Sequence, residues 1–134
     1  MAFAHGKNTV FKIDNSVGAL TDISAYLTDV DLPQSAKTAE TTTFGALADT
    51  FVAGTKNATI SVSGNFDATA DAVLAAILGL IGSFEYGPTG STAGMIKYTG
   101  ECLCTAYSIK GAVGGLVQAT ASFQVSGAVT RATY

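Results

Sequence analysis

The stretch LVQATASFQVSG, residues 116–127, alternates without a break, with Val117, Ala119, Ala121, Phe123 and Val125 on one side. Gln118, Thr120, Ser122, Gln124 and Ser126 take the other. A period of two is that of a half-buried β-strand. NATISVSGNFD, residues 57–67, repeats the pattern, with Ile60, Val62 and Phe66 opposite Thr59, Ser61, Ser63 and Asn65. Gly64 falls on its apolar side, which marks a bulge or a close approach of another segment. Both strands need a core on one face, and both carry only Thr, Ser, Asn and Gln on the other. Solvated faces ordinarily use Lys and Glu freely. Two explanations stand: a chain with few charges has few to place, or the face lines a wet channel whose neutral wall is hydrated without gripping a polyanion.

The remaining pattern is also β-rich. TVFKID (9–14) reads as a strand, NSVG (15–18) as a turn, and ALTDISAYLTDVDLP as a short strand and a longer one closed by Pro33, which cannot donate to a ladder. SFEYGPTGSTAGMIKYTGE reads as a hairpin turning at Gly87, Pro88 and Gly90, and ECLCTAYSIK continues as strand up to the turn GAVGG (111–115). One helix is predicted at about 69–78, with Val73, Leu74, Ile77 and Leu78 as its apolar stripe. Asp67 or Thr69 caps its start, Asp71 suits the dipole, and Gly79 ends it. The chain shows no internal repeat or linker, so 1–134 is read as one mainly β domain.

Charge is scarce. The chain is 48 % hydrophobic but only 13 % charged, against roughly 25 % in ordinary soluble domains. A core in 134 residues cannot absorb that much apolar surface, which points to contact between copies. A net charge of −3 lacks the basic footprint of a protein that grips phosphate backbones. The start, MAFAHGKNTV, does not read as a secretory signal, so the product is expected to stay where it is made. The run AVLAAILGLIG (72–82) is too short to span a bilayer, and no membrane insertion is expected.

Catalytic chemistry is not expected, because the sole histidine, His5, lies in the N-terminal segment and would have to serve any Ser-His-Asp or Cys-His device. Asp29 and Asp31 share a strand face and form either an acid/base pair or a hydrated strand end, the commoner role. HGKNT lacks the glycine loop of a phosphate site, and NAT (57–59) is an empty glycosylation match. Cys102 and Cys104 read as two small buried thiols rather than half of a metal site. No cofactor or metal is expected.

AETTTFGALADTF, residues 39–51, stands apart, since Phe44, Leu47 and Phe51 sit in an irregular, weakly charged segment from about 35 to 57. Its order after an early strand and before the strand that leads into the helix matters. Together, YLTDVDLPQSAKTAETTTFG, KNATISVSGNFD, EYGPTGSTAG and FQVSGAVTR resemble, in sequence and spacing, the small tail tube proteins of long-tailed bacteriophages, especially those of actinobacteria.

That resemblance implies a β-sandwich or half-barrel with one flanking helix, assembled in the host cytoplasm into six-membered rings. The rings stack into a hollow virion tail tube through which DNA passes without sequence-specific binding. It implies that the 35–57 loop reaches an adjacent ring, with Phe44, Leu47 and Phe51 as buried anchors and Thr41, Thr42 and Thr43 in extended contact. The first residues, up to about Lys7, become a second linking arm. Strands 58–66 and 116–126 become the wall, with Thr59, Ser61, Ser63, Asn65, Gln118, Thr120, Ser122 and Gln124 facing the lumen and the helix outside. The partners implied are further copies of the chain and other tail proteins at the tube ends. A capsid decoration protein is the alternative virion role.

Overall fold

The computed structural model describes residues 3–134, so Met1 and Ala2 of the expected N-terminal arm lie outside the described residues. Among those described, eight strands follow in chain order: β1 (Val10–Asp14), β2 (Leu20–Asp22), β3 (Leu27–Asp31), β4 (Gln34–Glu40), β5 (Phe51–Asn65), β6 (Ile81–Gly87), β7 (Ile96–Lys110) and β8 (Gln118–Thr133). One helix, α1 (Ala68–Ile77), lies between β5 and β6. All strand pairings are antiparallel, in the order β2-β1-β6-β7-β8-β5-β3, and β4 pairs with β5 off this path.

The sheet must curl. Its outermost strands, β2 and β3, are six strand spacings apart, which is ~29 Å in a flat sheet. Only Ile23–Tyr26 join them, a link that spans ~17 Å even when extended. Curling is visible inside as well, where the rings of Phe11 on β1 and Phe123 on β8 lie with centroids 6.2 Å apart across three strand spacings. The result is the half-barrel of the expected pair of architectures, with Phe11, Ile13, Ile60, Val62, Phe84 and Phe123 buried on its concave side.

Helix α1 fills that concavity. The Asp67 carboxylate accepts from the Thr69 amide at 2.9 Å, satisfying a free donor of the first turn. Gly79, at φ +84°, reverses the chain, and its amide donates to the Cys104 carbonyl at 2.9 Å. Leu74 and Ile77 are buried as expected, but Leu78 is half exposed and Ala70 is buried in its place. The reason is that Leu78 has already left the helix and forms a bridge with Cys104. On the other side, the Tyr107 hydroxyl donates to the Asp71 carboxylate at 2.7 Å, tying α1 to β7.

Several expectations are corrected by the ladder itself. Phe66 and Val117, expected in the core, remain 39 % and 44 % exposed because the β5–β8 ladder ends at Asn65 and Gln118, past the rim of the filled interior. Strand β8 continues to Thr133 rather than stopping near Gly127, because Gly127, at φ +89°, lets it bulge past Gly100 and resume pairing with β7. The expected loop from 35 to 57 is mostly β-structure: β4 and the first half of β5 form a hairpin whose tip is 41–50. Gly64 meets its expectation of close packing, since a Cβ there would lie 2.7 Å from the Leu27 Cα and would also strike the Tyr26 carbonyl.

Cys102 and Cys104 are buried free thiols facing the core. Burial pushes the Cys102 thiol up to about 12, with Cys104, Glu101 and Asp14 adding smaller effects. Burial also raises Cys104, and it raises Tyr107 together with the hydrogen bond to Asp71. Each group holds its proton more tightly folded than unfolded, so its contribution is complete below the ordinary value and is lost as pH climbs toward the raised one. Stability is expected to decline as pH rises from the ordinary thiol value of 9.0 toward about 12, which thermal unfolding across that range reads directly. Gly64→Ala is expected to destabilise by about 3 kcal/mol through overpacking against backbone, and an unchanged urea midpoint would contradict the close approach.

Candidate functional site

Two surfaces have features that folding alone does not require. The first is the convex face of β5 and β8. Directly opposed residues of an antiparallel pair share a face, and the register sets Thr59 against Gln124, Ser61 against Ser122, Ser63 against Thr120 and Asn65 against Gln118. All eight expected polar positions are thus brought into four cross-strand rows. Gln124 is fixed at one end of the patch, its amide donating to the Asn57 side chain at 2.7 Å and to the Ala58 carbonyl at 3.1 Å.

The rows extend onto the neighbouring strands. Asp31 pairs with Ser61 and Asp29 with Ser63 on one flank, while Ala106 pairs with Ser122, Ser108 with Thr120 and Lys110 with Gln118 on the other. Asp29 and Asp31 therefore belong to the polar face, as the fixed negative charges along its β3 side. Their strand parity was legible, but which strand β3 joins was not, since that rests on pairing between segments distant in sequence. Across the half-barrel, Tyr86 is raised first by burial and then by the charges of Asp31 and Asp29. The ladder partners of these two carboxylates are the hydroxyl-bearing Ser63 and Ser61, with no histidine, lysine or cysteine among them, which matches the hydrated strand end rather than an acid/base pair.

The second surface is the arm formed by β4, the tip 41–50 and the first half of β5. Residues 33–57 are exposed apart from a half-buried Thr42. From Asn57 to Phe51 the arm runs ~20 Å beyond the point where β5 parts from β8. Phe44 and Leu47 at the tip are fully exposed, and Phe51 and Val52 are more than half exposed. The threonines fasten the tip to its own base: Thr41 and Thr50 share a side-chain hydrogen bond of 2.8 Å, and the Thr50 amide donates to the Thr42 hydroxyl at 2.8 Å. Thr43 caps the turn through its carbonyl, which accepts from the Ala46 amide at 3.2 Å. Two of the three threonines thus shape the presentation of Phe44 and Leu47 rather than offering free hydroxyls outward.

At the N-terminus, Phe3 is largely exposed, and His5 accepts from the Lys7 amide at 3.1 Å, starting a 3-10 turn at Gly6–Asn8. The histidine has a local structural role. Among the described residues no group of His, Cys, Asp or Glu is placed to hold a metal ion, and no helix is long and apolar enough to cross a membrane.

The fold is similar to that of chains in the tails and virions of known particles. It superposes on a chain from the tail of an empty gene transfer agent particle, refined with helical and C6 symmetry, at a TM-score of 0.82 and 19 % identity, covering 98 % of this chain and 100 % of that one. A chain from the virion of a native gene transfer agent gives 0.81 and 21 %, with the same coverage. The SPP1 tail tube, solved by solid-state NMR and cryo-electron microscopy, gives 0.74 and 14 % over 98 % of this chain and 80 % of that one. Among curated proteins none is detectably similar in sequence. A family described as phage tail tube protein matches residues 3–131. Matched over nearly its full length, the chain belongs to the phage tail tube protein family, a family of structural tail subunits and not of enzymes.

Proposed function

We propose that this tail tube subunit, acting as one domain over residues 1–134, assembles as six-membered rings that stack through the β4–β5 arm into a hollow conduit for DNA. The observation that carries the reading is the arm: ~20 Å of hairpin that projects past the β5–β8 ladder, is held to β8 at its base by the Gln124–Asn57 hydrogen bond, and presents Phe44 and Leu47 to solvent. An isolated two-stranded hairpin is marginal in water, and exposed aromatic and aliphatic side chains at its tip gain only by burial against something else. The C6 symmetry of the gene transfer agent tail supports six copies per ring. A capsid decoration role would leave the tube family match unexplained.

The polar rows of β5 and β8 face the lumen in this reading. Hydroxyls and amides keep the wall wet, and Asp29 and Asp31 along its β3 side repel a polyanion weakly, so DNA passes unheld. The free edges of β2 and β3 pair with neighbouring copies around the ring, which removes them as sites of uncontrolled strand addition. Assembly proceeds in the host cytoplasm, and other tail proteins close the two tube ends.

Negative-stain electron microscopy over a concentration series is the direct test. Hollow filaments with a regular axial repeat are expected, and discrete particles that bind empty capsids would instead establish the decoration role. The double variant Phe44→Ser/Leu47→Ser is expected to remain folded, because neither side chain is buried, and to lose filaments; undiminished filaments would show that the tip is not the stacking contact. Ser61→Lys/Ser122→Lys tubes assembled with short DNA are expected to retain nuclease-protected DNA at low salt and release it at high salt. Retained DNA that nuclease digests fully would place the rows on the outside.

A further inference from the structure

Two exposed apolar surfaces stand at opposite ends of the sheet. We propose that the end formed by Phe66, Ile109 and the β7–β8 loop receives Phe44 and Leu47 from the arm of a copy in the adjacent ring, a contact that rests on the tube reading and names its acceptor surface. Gly64, Ala119 and Ile109 form one cross-strand row of the inner face. Phe66 and Val117 continue that face one step further, joined by the Phe66 amide donating to the Val117 carbonyl at 2.9 Å. The preceding row, Val62, Ala121 and Tyr107, packs on the core, but beyond it Ile109, Phe66 and Val117 are left partly exposed. The loop adds Val113, fully exposed, and Leu116, more than two-thirds exposed. Gly114, at φ +85°, and Gly115 put no side chain between those two. Together they make an apolar patch without cover among the described residues, the kind of surface that marks an interface.

Charge argues for this occupant. Residues 41–50 carry a single charge, Asp49, and residues 109–117 carry a single opposite one, Lys110. Both side chains are exposed. Asp67, the carboxylate beside Phe66, is already engaged by the Thr69 amide at 2.9 Å. Tip and patch thus match in two respects: each is apolar, and the one charge that each carries is opposite in sign to the other, which favours this pairing over tip on tip or patch on patch.

Register provides the second argument. Strand β5 runs ~46 Å from Phe51, where the arm enters, to Asn65, which pairs with Gln118. Lys110 pairs with the same Gln118, so the β7–β8 loop stands at the end of the sheet away from the arm. A tip at one end and its acceptor at the other make a head-to-tail contact, which propagates along an axis instead of closing into a dimer. The other exposed apolar cluster, Leu78, Leu80 and Ile81 at the α1–β6 turn, is level with Thr59 through the pairs Ile81–Leu103, Leu103–Gln124 and Gln124–Thr59. It therefore lies in mid-sheet, level with the base of the arm, and is the rival acceptor. Phe3 precedes β1 at the arm's end of the sheet and is the rival tip.

Cysteine pairs test the contact. Leu47→Cys/Val113→Cys is compared with Leu47→Cys/Ile81→Cys, with Phe3→Cys/Val113→Cys and with each single variant, after mild oxidation with oxidised glutathione and non-reducing electrophoresis. All four positions are exposed, so folding is not at stake, and the native thiols are buried, with Cys102 held at about 12 and therefore unreactive. A ladder of disulfide-linked multimers from Leu47→Cys/Val113→Cys, absent from the other variants, is the expected result. Tubes in the micrographs without that ladder, or a ladder from either rival pair in its place, would overturn the assignment. The expected ladder without wild-type tubes would keep the contact and sink the tube reading, whereas neither ladder nor tubes would sink both.

Discussion

The link Ile23–Tyr26 is the constraint on which the molecule turns. Four residues cannot bridge the outer strands of a flat sheet, so the sheet bends until β2 and β3 approach one another. Bending brings Phe11 against Phe123 and makes the concavity that α1 fills. It also divides the molecule into an apolar inside and a convex outside, where every polar row of β5 and β8 must lie. Gly64 belongs to the same constraint: β3 crosses so closely there that no side chain fits, and the β3–β5 register slips beside it between Leu27 and Asp29.

The sequence was most legible where one face is buried and the other wet. Periodicity of two exists because the two faces of a strand differ in environment, and in β5 from Ala58 onward and in β8 up to Val125 they differ sharply. The arm shows the converse. In residues 34–57 both faces are exposed, so nothing selects an alternation, and the segment reads as loop although most of it is paired strand. Phe44 and Leu47 were legible as anomalies, whereas the hairpin that carries them outward was not, because it rests on pairing between two strands with no buried face. Asp29 and Asp31 were visible as a pair, but only the pairing of β3 with β5 shows that they border the serine rows.

Low charge takes on a physical meaning in this setting. A monomer with 13 % charged residues lacks the polar cover of an ordinary soluble domain. Its apolar excess is concentrated at the arm tip, the α1–β6 turn and the β7–β8 loop. Its neutral polar residues are concentrated on the convex sheet. The composition thus reflects two kinds of surface, exposed apolar side chains gathered in a few places and neutral polar rows along the convex sheet.

The marginal stability of the arm as a free hairpin also has a kinetic consequence. Its backbone hydrogen bonds are open to water along their whole length, so in the proposed assembly the arm of a free subunit frays more readily than the rest of the sheet and gains order on capture by a neighbour. Ordering costs conformational entropy, and in the proposed stacking this weighs on the first contacts between subunits more than on later ones, because a completed ring presents several acceptor surfaces at once. The proposed assembly then grows from a nucleus, with free subunits waiting in solution for a first ring to be supplied.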